Sequence, residues 1–564
     1  MPTPLDVTNN SHESAKAAHV NMMTDTIIAN LPPEGLRSIV RGLLGVDNKN
    51  TAAFESLAIK YLDATNPAST PTFFTPKDNQ PTLAFHVYRA RYRCLMGCGK
   101  AFESLQALCE VARQVKETDA ALESLEQSDL EGTAALIDSD LVQAITAVHK
   151  QLSTTSGLRP LTNTEQEIIQ QLQNTLVECD NTFFQKQQPS PFFRGSSSLE
   201  TLLSHPKKEP VFIEETLAYR YRPSSTAIET KLGNAVVPRM FMGLWQFSSP
   251  AWGAAPATKI FKDFQKHVDA GLVAYDMADH YGDAERTFAS HGEFRRHAYL
   301  RENEAGRIYC ATKWCVFEPI IVTPEVVKDA ITERLATLQS SRVELLQFHW
   351  QDYNDHQYVE AAKLIEQDAR VDNLGVCNFD TKHMDEIIES GVKIVSNQVQ
   401  FSLIDLRPTF KMADSCRKHD VNFSHTAHYA KCGGLLADRW LGKSAPNLFD
   451  PDMTPSSRKY FEMITVWGGW TLFQELLATL STIGEKYKVS ISVVAVRWVL
   501  EHEYVGAVII GARMGVSEHV EENLKAFGFK LDEEDLAGIQ NVLDQCRARE
   551  VFDAMGDCGA EYRQ

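Results

Sequence analysis

Short apolar runs alternate with amphipathic stretches through the second half of the chain. Eight of these runs are rich in β-branched and aromatic residues, and in order they read MFMGLWQF, LVAYDMA, RIYCATKW, VELLQFHW, VDNLGVCNF, IVSNQVQF, VNFSHTAHY and VGAVIIGAR. Helical patterns such as KIFKDFQKHVDAG and PEVVKDAITERLATLQ lie between them. Strands that alternate with helices predict a parallel sheet. Eight such units in roughly 300 residues predict an α/β fold of the (β/α)8 TIM barrel type.

A doubly wound open sheet is the alternative arrangement of the same elements. Such a sheet usually carries a glycine-rich phosphate-binding turn after its first strand. The first apolar run continues as GLWQFSS, which contains no such turn. The sequence therefore favours the barrel, and barrel enzymes place their chemistry at the carboxyl ends of the strands.

The first half of the chain has a different pattern, which predicts an additional N-terminal all-α region. A chain of 564 residues is too long for one ordinary core. In LPPEGLRSIVRGLLG the apolar residues recur at helical spacing, and further helical patterns cover about 51–63, 83–116, 138–152 and 164–186. The pattern predicts four segments: a flexible tail over 1–24, a helical region of unknown role over 25–205, a linker and barrel lead-in over 206–234, and the barrel over 235–564.

Charge and composition exclude several classes of partner. The formal net charge of −18 opposes nucleic-acid phosphates and anionic membranes, so neither is expected to bind. No apolar run reaches about 18 residues, and the first residues lack the pattern of a secretory signal. The 11 cysteines show no pair of pairs at zinc-site spacing. We expect reduced thiols, no metal site and a cytoplasmic location.

Polar residues stand at the ends of several predicted strands. Asp276 ends the second run, Lys313 the third and His349 the fourth, while Asn378 follows the fifth and Gln398 lies in the sixth. Each would be costly to bury alone, so three charged or titratable types at adjacent strand ends indicate a shared site.

The stretch YDMADHYGDAE supplies a candidate proton donor for that site. Tyrosine normally has a pKa near 10. A lysine ammonium about 4 Å away contributes roughly 4 kcal/mol at an effective dielectric near 20, which would lower that pKa. Tyr281 could then protonate a carbonyl oxygen, with Asp276 pairing with Lys313 to keep it charged. His349 could donate a hydrogen bond that orients the substrate oxygen.

These motifs resemble those of the aldo-keto reductase superfamily over residues from about 230 to 564. DMADHYG matches its D-x-A-x-x-Y-G pattern, and ATKW and QFHW resemble the stretches that carry its lysine and histidine. The resemblance implies that Asp276, Tyr281, Lys313 and His349 form a catalytic tetrad. The helical half carries no comparable motif.

The resemblance also implies a nicotinamide cofactor, NADPH/NADP+, and residues that would hold it. GVCNF and NQVQF resemble the motifs that bind the carboxamide, and IIGARMGVSEHVEENLKAF resembles the loop and helix that bind the adenosine 2′-phosphate. The family's ring that stacks on the nicotinamide falls at His428, with Tyr429 next. The implied cofactor-binding residues are Leu244, Trp245, Asp276, Cys377, Asn378, Gln398, His428, Tyr429, Gly511, Ala512, Arg513, His519, Glu522 and Asn523.

Two functions remain open on the sequence alone. The first is an NADPH-dependent oxidoreductase that interconverts a small-molecule carbonyl and an alcohol, with hydride from the nicotinamide and the proton from Tyr281. The alternative is an NADPH-binding regulatory or adaptor protein, whose helical half docks a protein partner. The intact set of four residues favours the enzyme.

Overall fold

The computed structural model describes most of the chain. The described residues are 27–28, 31–46, 48–67, 69–75, 80–117, 128–154, 157–186, 188–204, 229–248, 250–290, 308–419, 421–426, 432–447 and 453–563. The predicted tail over 1–24 and most of the predicted linker over 206–234 lie outside them.

The first half is helical, as predicted. Its helices are α1 Pro33–Val46, α2 Asn48–Ala64, α3 Leu83–Gly97, α4 Ala101–Glu117, α5 Ser128–Leu152, α6 Asn163–Gln185 and α7 Phe193–Ser204. The continuous pattern over 83–116 is two helices, because the chain turns at Gly99, whose φ of +75° is a left-handed conformation that favours glycine. Helix α6 begins in a capping box in which Thr162 and Glu165 satisfy each other's backbone N–H groups.

The chain divides into two compact units. The smaller contains residues 1–55 and 446–453, and the larger contains 56–445 and 454–564. The larger unit therefore holds both the barrel and most of the helical half. Within it, α3 to α7 enclose a core of their own, whose fully buried members include Leu105, Leu108, Val111, Ile137, Leu141, Ala144, Leu172 and Phe192.

Eight parallel strands form the predicted closed barrel. They are β1 Met240–Gly243, β2 Ala274–Asp276, β3 Tyr309–Val316, β4 Leu345–Trp350, β5 Leu374–Cys377, β6 Ser396–Val399, β7 Asn422–Thr426 and β8 Val505–Gly511. Each strand pairs with the next along the chain, and β8 closes the ring against β1, where Gly511 lies beside Gly243. The barrel prediction is confirmed.

Helices cover the outside of the barrel. They are α8 Ala257–Asp269, α9 Ala284–Ser290, α10 Pro324–Leu338, α11 Gln357–Gln367, α12 Thr381–Glu389, α13 Met412–His419, α14 Pro455–Trp467, α15 Gly469–Tyr487, α16 Ile491–Leu500, α17 Val520–Leu524, α18 Glu533–Leu543 and α19 Ala548–Met555. Helix α8 shows why these segments are helical: Ile260, Phe264 and Val268 recur at helical spacing and are buried.

A hairpin closes the amino end of the barrel. Its strands, Glu229–Leu232 and Ala235–Pro238, pair antiparallel. Leu232 and Val237 join an interior cluster with strand residues such as Phe241. A candidate active site is therefore expected at the opposite end of the barrel, where the strands have their carboxyl ends.

Two expectations from composition can be compared with the described residues. None of the helices in them has the length and apolarity needed to cross a bilayer. All 11 cysteines lie in the described part of the chain and carry free thiols.

Candidate active site

Asp276 and Lys313 form a buried ion pair at the carboxyl end of neighbouring strands. Asp276 is the last residue of β2, and Lys313 lies in β3. The ammonium Nζ donates to both carboxylate oxygens at 2.8 Å and to the Met277 carbonyl at 2.8 Å. Burial by itself would lower the pKa of Lys313, but the Asp276 charge outweighs it, and the net shift is upward. Lys313 therefore stays cationic.

Two glutamines complete the surroundings of this carboxylate. Gln398 Nε2 donates to Asp276 Oδ1 at 2.7 Å, and Gln347 Nε2 donates to the same oxygen at 2.8 Å. Cys377 Sγ lies 3.4 Å from Gln398 Oε1. Sequence reasoning missed Gln347, and only its place two residues before His349 in β4, on the same side of the strand, could have indicated it.

Tyr281 lies above the ion pair. Lys313 Nζ is 4.8 Å from the centroid of the tyrosine ring, and Tyr281 is 9% exposed. The next residue is Gly282, with φ of +65°, and a Cβ there would lie 2.6 Å from the Ser248 Cβ. The turn that presents Tyr281 therefore depends on glycine in both its conformation and its packing.

His349 enters the same site from β4. Its Nδ1 lies 2.9 Å from the Cys377 carbonyl oxygen, and its Nε2 lies 3.2 Å from Gln351 Oε1. A neutral imidazole carries one N–H, so it can donate to only one of these two acceptors. Burial first, and then the nearby charge of Arg563, lower the pKa of His349 to about 4. The ring is therefore neutral at pH 7.

The C-terminal segment lies against the same end of the barrel, which the sequence did not indicate. Arg563 donates to the Trp350 carbonyl at 2.7 Å and to the Asn378 carbonyl at 2.5 Å. Its guanidinium lies 4.0 Å from the centroid of the Tyr353 ring. Gln351 donates to the Tyr562 carbonyl. These contacts hold the segment beside His349.

Three candidate cofactor residues directly follow β1 or β5. Leu244 is buried, and its N–H donates to the Asp276 carbonyl at 3.0 Å. Trp245 is 44% exposed, with its ring 5.0 Å from that of Trp252. Asn378 has a left-handed backbone, φ +57°, and its N–H donates to the Gln398 carbonyl at 2.8 Å. Leu244 thus contacts Asp276 directly, and Asn378 contacts Gln398, which donates to the same carboxylate.

Strand β8 and the turn after it carry the candidate phosphate site. Gly511 ends β8, and the Ala512 N–H donates to the Gly243 carbonyl at 2.9 Å. Arg513 follows, with Nη1 3.4 Å from the Trp252 carbonyl oxygen. Burial, and then the charge of Arg439, lower the pKa of Arg513. Sequence reasoning did not name Arg439, whose charge acts on Arg513.

The remaining predicted cofactor residues lie on α17 or outside the described chain. His519 precedes α17, and its carbonyl accepts from the Asn523 N–H at 2.8 Å. Glu522 accepts from the Ser490 hydroxyl and from Lys525. His428 and Tyr429 lie outside the described residues, so the ring predicted to stack on the nicotinamide stays a prediction.

The structure places a buried lysine–carboxylate pair and a tyrosine at the carboxyl end of a closed parallel barrel. The chain belongs to the Aldo/keto reductase family, which matches residues 239–544 and confirms the resemblance seen in the motifs. The helical half lies outside that match.

Individual relatives are distant. The chain is 24% identical to the chloroplastic pyridoxal reductase of Arabidopsis thaliana over 327 residues, which is 54% of this chain and 83% of that protein. It is 26% identical to flagellar radial spoke protein 5 of Chlamydomonas reinhardtii over 141 residues, 24% of this chain and 26% of that protein. A glycerol dehydrogenase structure from Gluconobacter oxydans aligns at 20% identity with a TM-score of 0.46, covering 58% of this chain and 97% of that one.

Proposed function

We propose that this protein is an NADPH-dependent oxidoreductase that interconverts a small-molecule carbonyl and an alcohol. The observation that carries the proposal is the buried Asp276–Lys313 ion pair with its ammonium 4.8 Å from the Tyr281 ring, in a chain of the Aldo/keto reductase family. An isolated lysine charge would be costly to bury. Lys313 lies over the ring of a phenol, so its charge can favour loss of the phenolic proton.

Tyr281 is proposed to give its phenolic proton to the oxygen of the carbonyl during reduction. The Lys313 ammonium, which lies over the Tyr281 ring, stabilises the phenolate that remains, because a nearby positive charge attracts the developing negative charge. Asp276 holds the ammonium in place through both of its oxygens. In the reverse direction the same phenolate accepts the proton of the alcohol.

His349 is proposed to orient the substrate oxygen. In the tautomer with its proton on Nε2, the neutral ring donates a hydrogen bond into the position that Gln351 Oε1 takes in this structure. The Cys377 carbonyl, 2.9 Å from Nδ1, must then move away, because both of those atoms are acceptors in this tautomer. The pKa of about 4, set by burial and by Arg563, keeps the ring uncharged. A substrate carbonyl would thus be held between a neutral donor and the Tyr281 phenol.

The chain's residues fit a phosphorylated nicotinamide cofactor. NADPH, when bound, supplies the hydride. Arg513, partly buried in the turn after β8, offers a guanidinium of the geometry that phosphate prefers. Gln398 and Asn378 are proposed to bind the amide of the nicotinamide; they are adjacent, since the Asn378 N–H donates to the Gln398 carbonyl. The 2′-phosphate is therefore assigned to the Arg513 side, and the reacting ring to the Tyr281 side.

Replacing Tyr281 by phenylalanine tests the proposal, because it removes only the hydroxyl. The expected result is a fall of at least about 10²-fold in single-turnover oxidation of bound NADPH by a reactive aldehyde, with NADPH affinity unchanged. Tyr309→Phe is the matched control, since it removes another buried phenol hydroxyl at the start of β3. Equal rates for the two variants would contradict the proposal.

The helical half supports a second candidate, an NADPH-binding adaptor protein. Several of its large apolar side chains are exposed, among them Leu83 and Val87 on α3 and Val177 and Phe184 on α6. Exposed apolar groups on helices can dock a protein partner. This candidate requires no turnover, so a panel of aldehydes, ketones and sugars with NADPH separates the two functions.

A further inference from the structure

A buried ion pair joins the helical half to the loop that carries Tyr281. Arg194 lies on α7, and Asp283 lies two residues after Tyr281. Arg194 Nε and Nη2 donate to the two Asp283 oxygens at 2.7 Å each. Their side chains are 1% and 2% exposed. This bidentate geometry fixes the direction of the carboxylate as well as its distance.

The Asp283 carboxylate and the Tyr281 backbone carbonyl share the Ser248 hydroxyl, whose single proton is donated to one of them at a time. Ser248 Oγ, in the loop after β1, lies 2.7 Å from Asp283 Oδ1 and 2.6 Å from the Tyr281 carbonyl oxygen. The Asp283 N–H donates to the same Oγ at 3.2 Å. Thr287 donates to Asp283 Oδ2 at 2.6 Å. Any shift of Asp283 would therefore move the turn that presents Tyr281.

Arg194 is itself held firmly from the helical side. Asp138, on α5, accepts from the Gly195 N–H at 2.7 Å and from the Arg194 N–H at 3.3 Å. Ser139 accepts from Arg194 Nη1 at 3.2 Å. The guanidinium also lies 4.5 Å from the centroid of the Phe247 ring. The arginine is thus fixed at its backbone and at its charged end.

A buried ion pair is weak evidence for stability, because desolvation offsets much of the attraction between the charges. Apolar residues of similar volume would fill the same space at no such cost. The pair joins α7, which is hydrogen-bonded to α5, to the loop of the proposed proton donor, and this position suggests a use in placing that donor. Misplacement of a reacting group by about 1 Å can cost about 10²-fold in rate.

We propose that Arg194, from the helical half, is a positioning residue that sets the place of Tyr281 through Asp283 and Ser248. The inference rests on the proposed function in so far as Tyr281 is the proton donor. Under this proposal the helical half takes part in the reaction of the barrel, because it supplies the arginine that positions Tyr281.

The test compares Arg194→Ala with Arg159→Ala in the full-length protein. Arg159 is a matched control because it also pairs with a carboxylate, Glu165, in the helical half, but at a more exposed site. Two quantities are measured: single-turnover oxidation of bound NADPH by a reactive aldehyde, and the ¹⁹F NMR shift of 3-fluorotyrosine placed at position 281.

The expected result for Arg194→Ala is a rate lower by about 10²-fold, a moved fluorine signal and unchanged NADPH affinity. Added guanidinium ion should restore part of the rate by filling the vacated site. Arg159→Ala should match the unaltered protein in both measurements. A folded Arg194→Ala protein with the normal rate and fluorine signal would overturn the inference.

Two further outcomes keep the inference separate from the proposed function and from folding. If the unaltered protein oxidises no NADPH with any carbonyl, the proposed function fails, and the fluorine signal alone decides whether Arg194 positions Tyr281. If Arg194→Ala does not fold, Arg194→Lys takes its place, since lysine keeps the charge but cannot make the two parallel bonds. A normal rate and fluorine signal in that variant would also overturn the inference.

Discussion

The Lys313 ammonium donates to both oxygens of Asp276 at 2.8 Å, and both side chains are 2% exposed. Replacing Lys313 by methionine keeps much of its volume. The Asp276 carboxylate then keeps its hydrogen bonds from Gln347 and Gln398 but loses its cationic partner. Breaking a buried pair costs about 3–5 kcal/mol of unfolding free energy. We expect such a loss in urea unfolding, together with loss of carbonyl reduction.

The double variant Lys313→Met, Asp276→Asn is the control for this prediction. It removes both charges, so the unfolding free energy should be higher than in Lys313→Met alone, while reduction stays lost. If the losses of unfolding free energy in Lys313→Met and in Asp276→Asn summed to the loss in the double variant, the two side chains would not be coupled as the structure shows them.

Arg513 is expected to set the preference for NADPH over NADH. A hydrogen bond to a charged group is worth about 1.5–3 kcal/mol, so Arg513→Ala should weaken NADPH binding by roughly tenfold or more. NADH binding should barely change, because NADH lacks the 2′-phosphate. Titration of tryptophan fluorescence measures both, with the exposed Arg549→Ala as control. An equal loss for the two cofactors would contradict the assignment.

His349 is expected to stay neutral across the working pH range. Burial, followed by the charge of Arg563, lowers its pKa to about 4, from an ordinary value near 6.5. The rate of reduction should therefore show no inflection near pH 6.5. In Arg563→Gln the pKa of His349 should rise, and any histidine inflection should move upward with it. An inflection near pH 6.5 in the unaltered protein that vanishes in His349→Gln would contradict this.

Glu285 should make stability fall as the pH rises. Burial, despite the charge of Arg334, raises the pKa of this carboxyl from 4.5 to about 7. The folded protein therefore binds more protons than the unfolded chain between those values, and stability decreases with rising pH across that window. Glu285→Gln should gain thermal stability relative to the unaltered protein on going from pH 5 to pH 8. Glu475→Gln, at an exposed helical position, should show no such change relative to the unaltered protein.

The architecture and the central side chains could be predicted because they follow from periodic patterns. The eight apolar runs give the strands, and a barrel brings their carboxyl ends together. Asp276, Lys313 and His349 each end or lie in such a run. Their proximity could therefore be predicted without knowing the loop conformations. The roles assigned to them stay predictions.

The contacts that surround these side chains could not be predicted, because they join segments with no shared pattern. Arg194 and Asp283 are 89 positions apart, in a helix and a loop whose sequences carry no sign of each other. Arg563 reaches the barrel end from the other end of the chain. Gln347 sits in an apolar run, where a single glutamine has no periodicity of its own. Such side-chain contacts depend on the relative placement of helices, strands and loops in the folded protein, which the local sequence pattern does not specify.

The barrel without the helical half provides the last prediction. A chain that starts at Ala227 keeps the hairpin, all eight strands and Arg513, and so should unfold cooperatively and bind NADPH. It lacks Arg194, so Asp283 loses the partner that fixes its direction, and the turn of Tyr281 should loosen. We expect single-turnover oxidation of bound NADPH to slow about as much as in full-length Arg194→Ala, by about 10²-fold.

Calorimetry measures the cooperativity of unfolding, fluorescence titration the NADPH affinity, and stopped-flow mixing the single-turnover rate. A barrel that binds NADPH and reduces at the full rate would show that the helical half does not position Tyr281, whereas one that cannot bind NADPH would place the boundary between the two regions elsewhere.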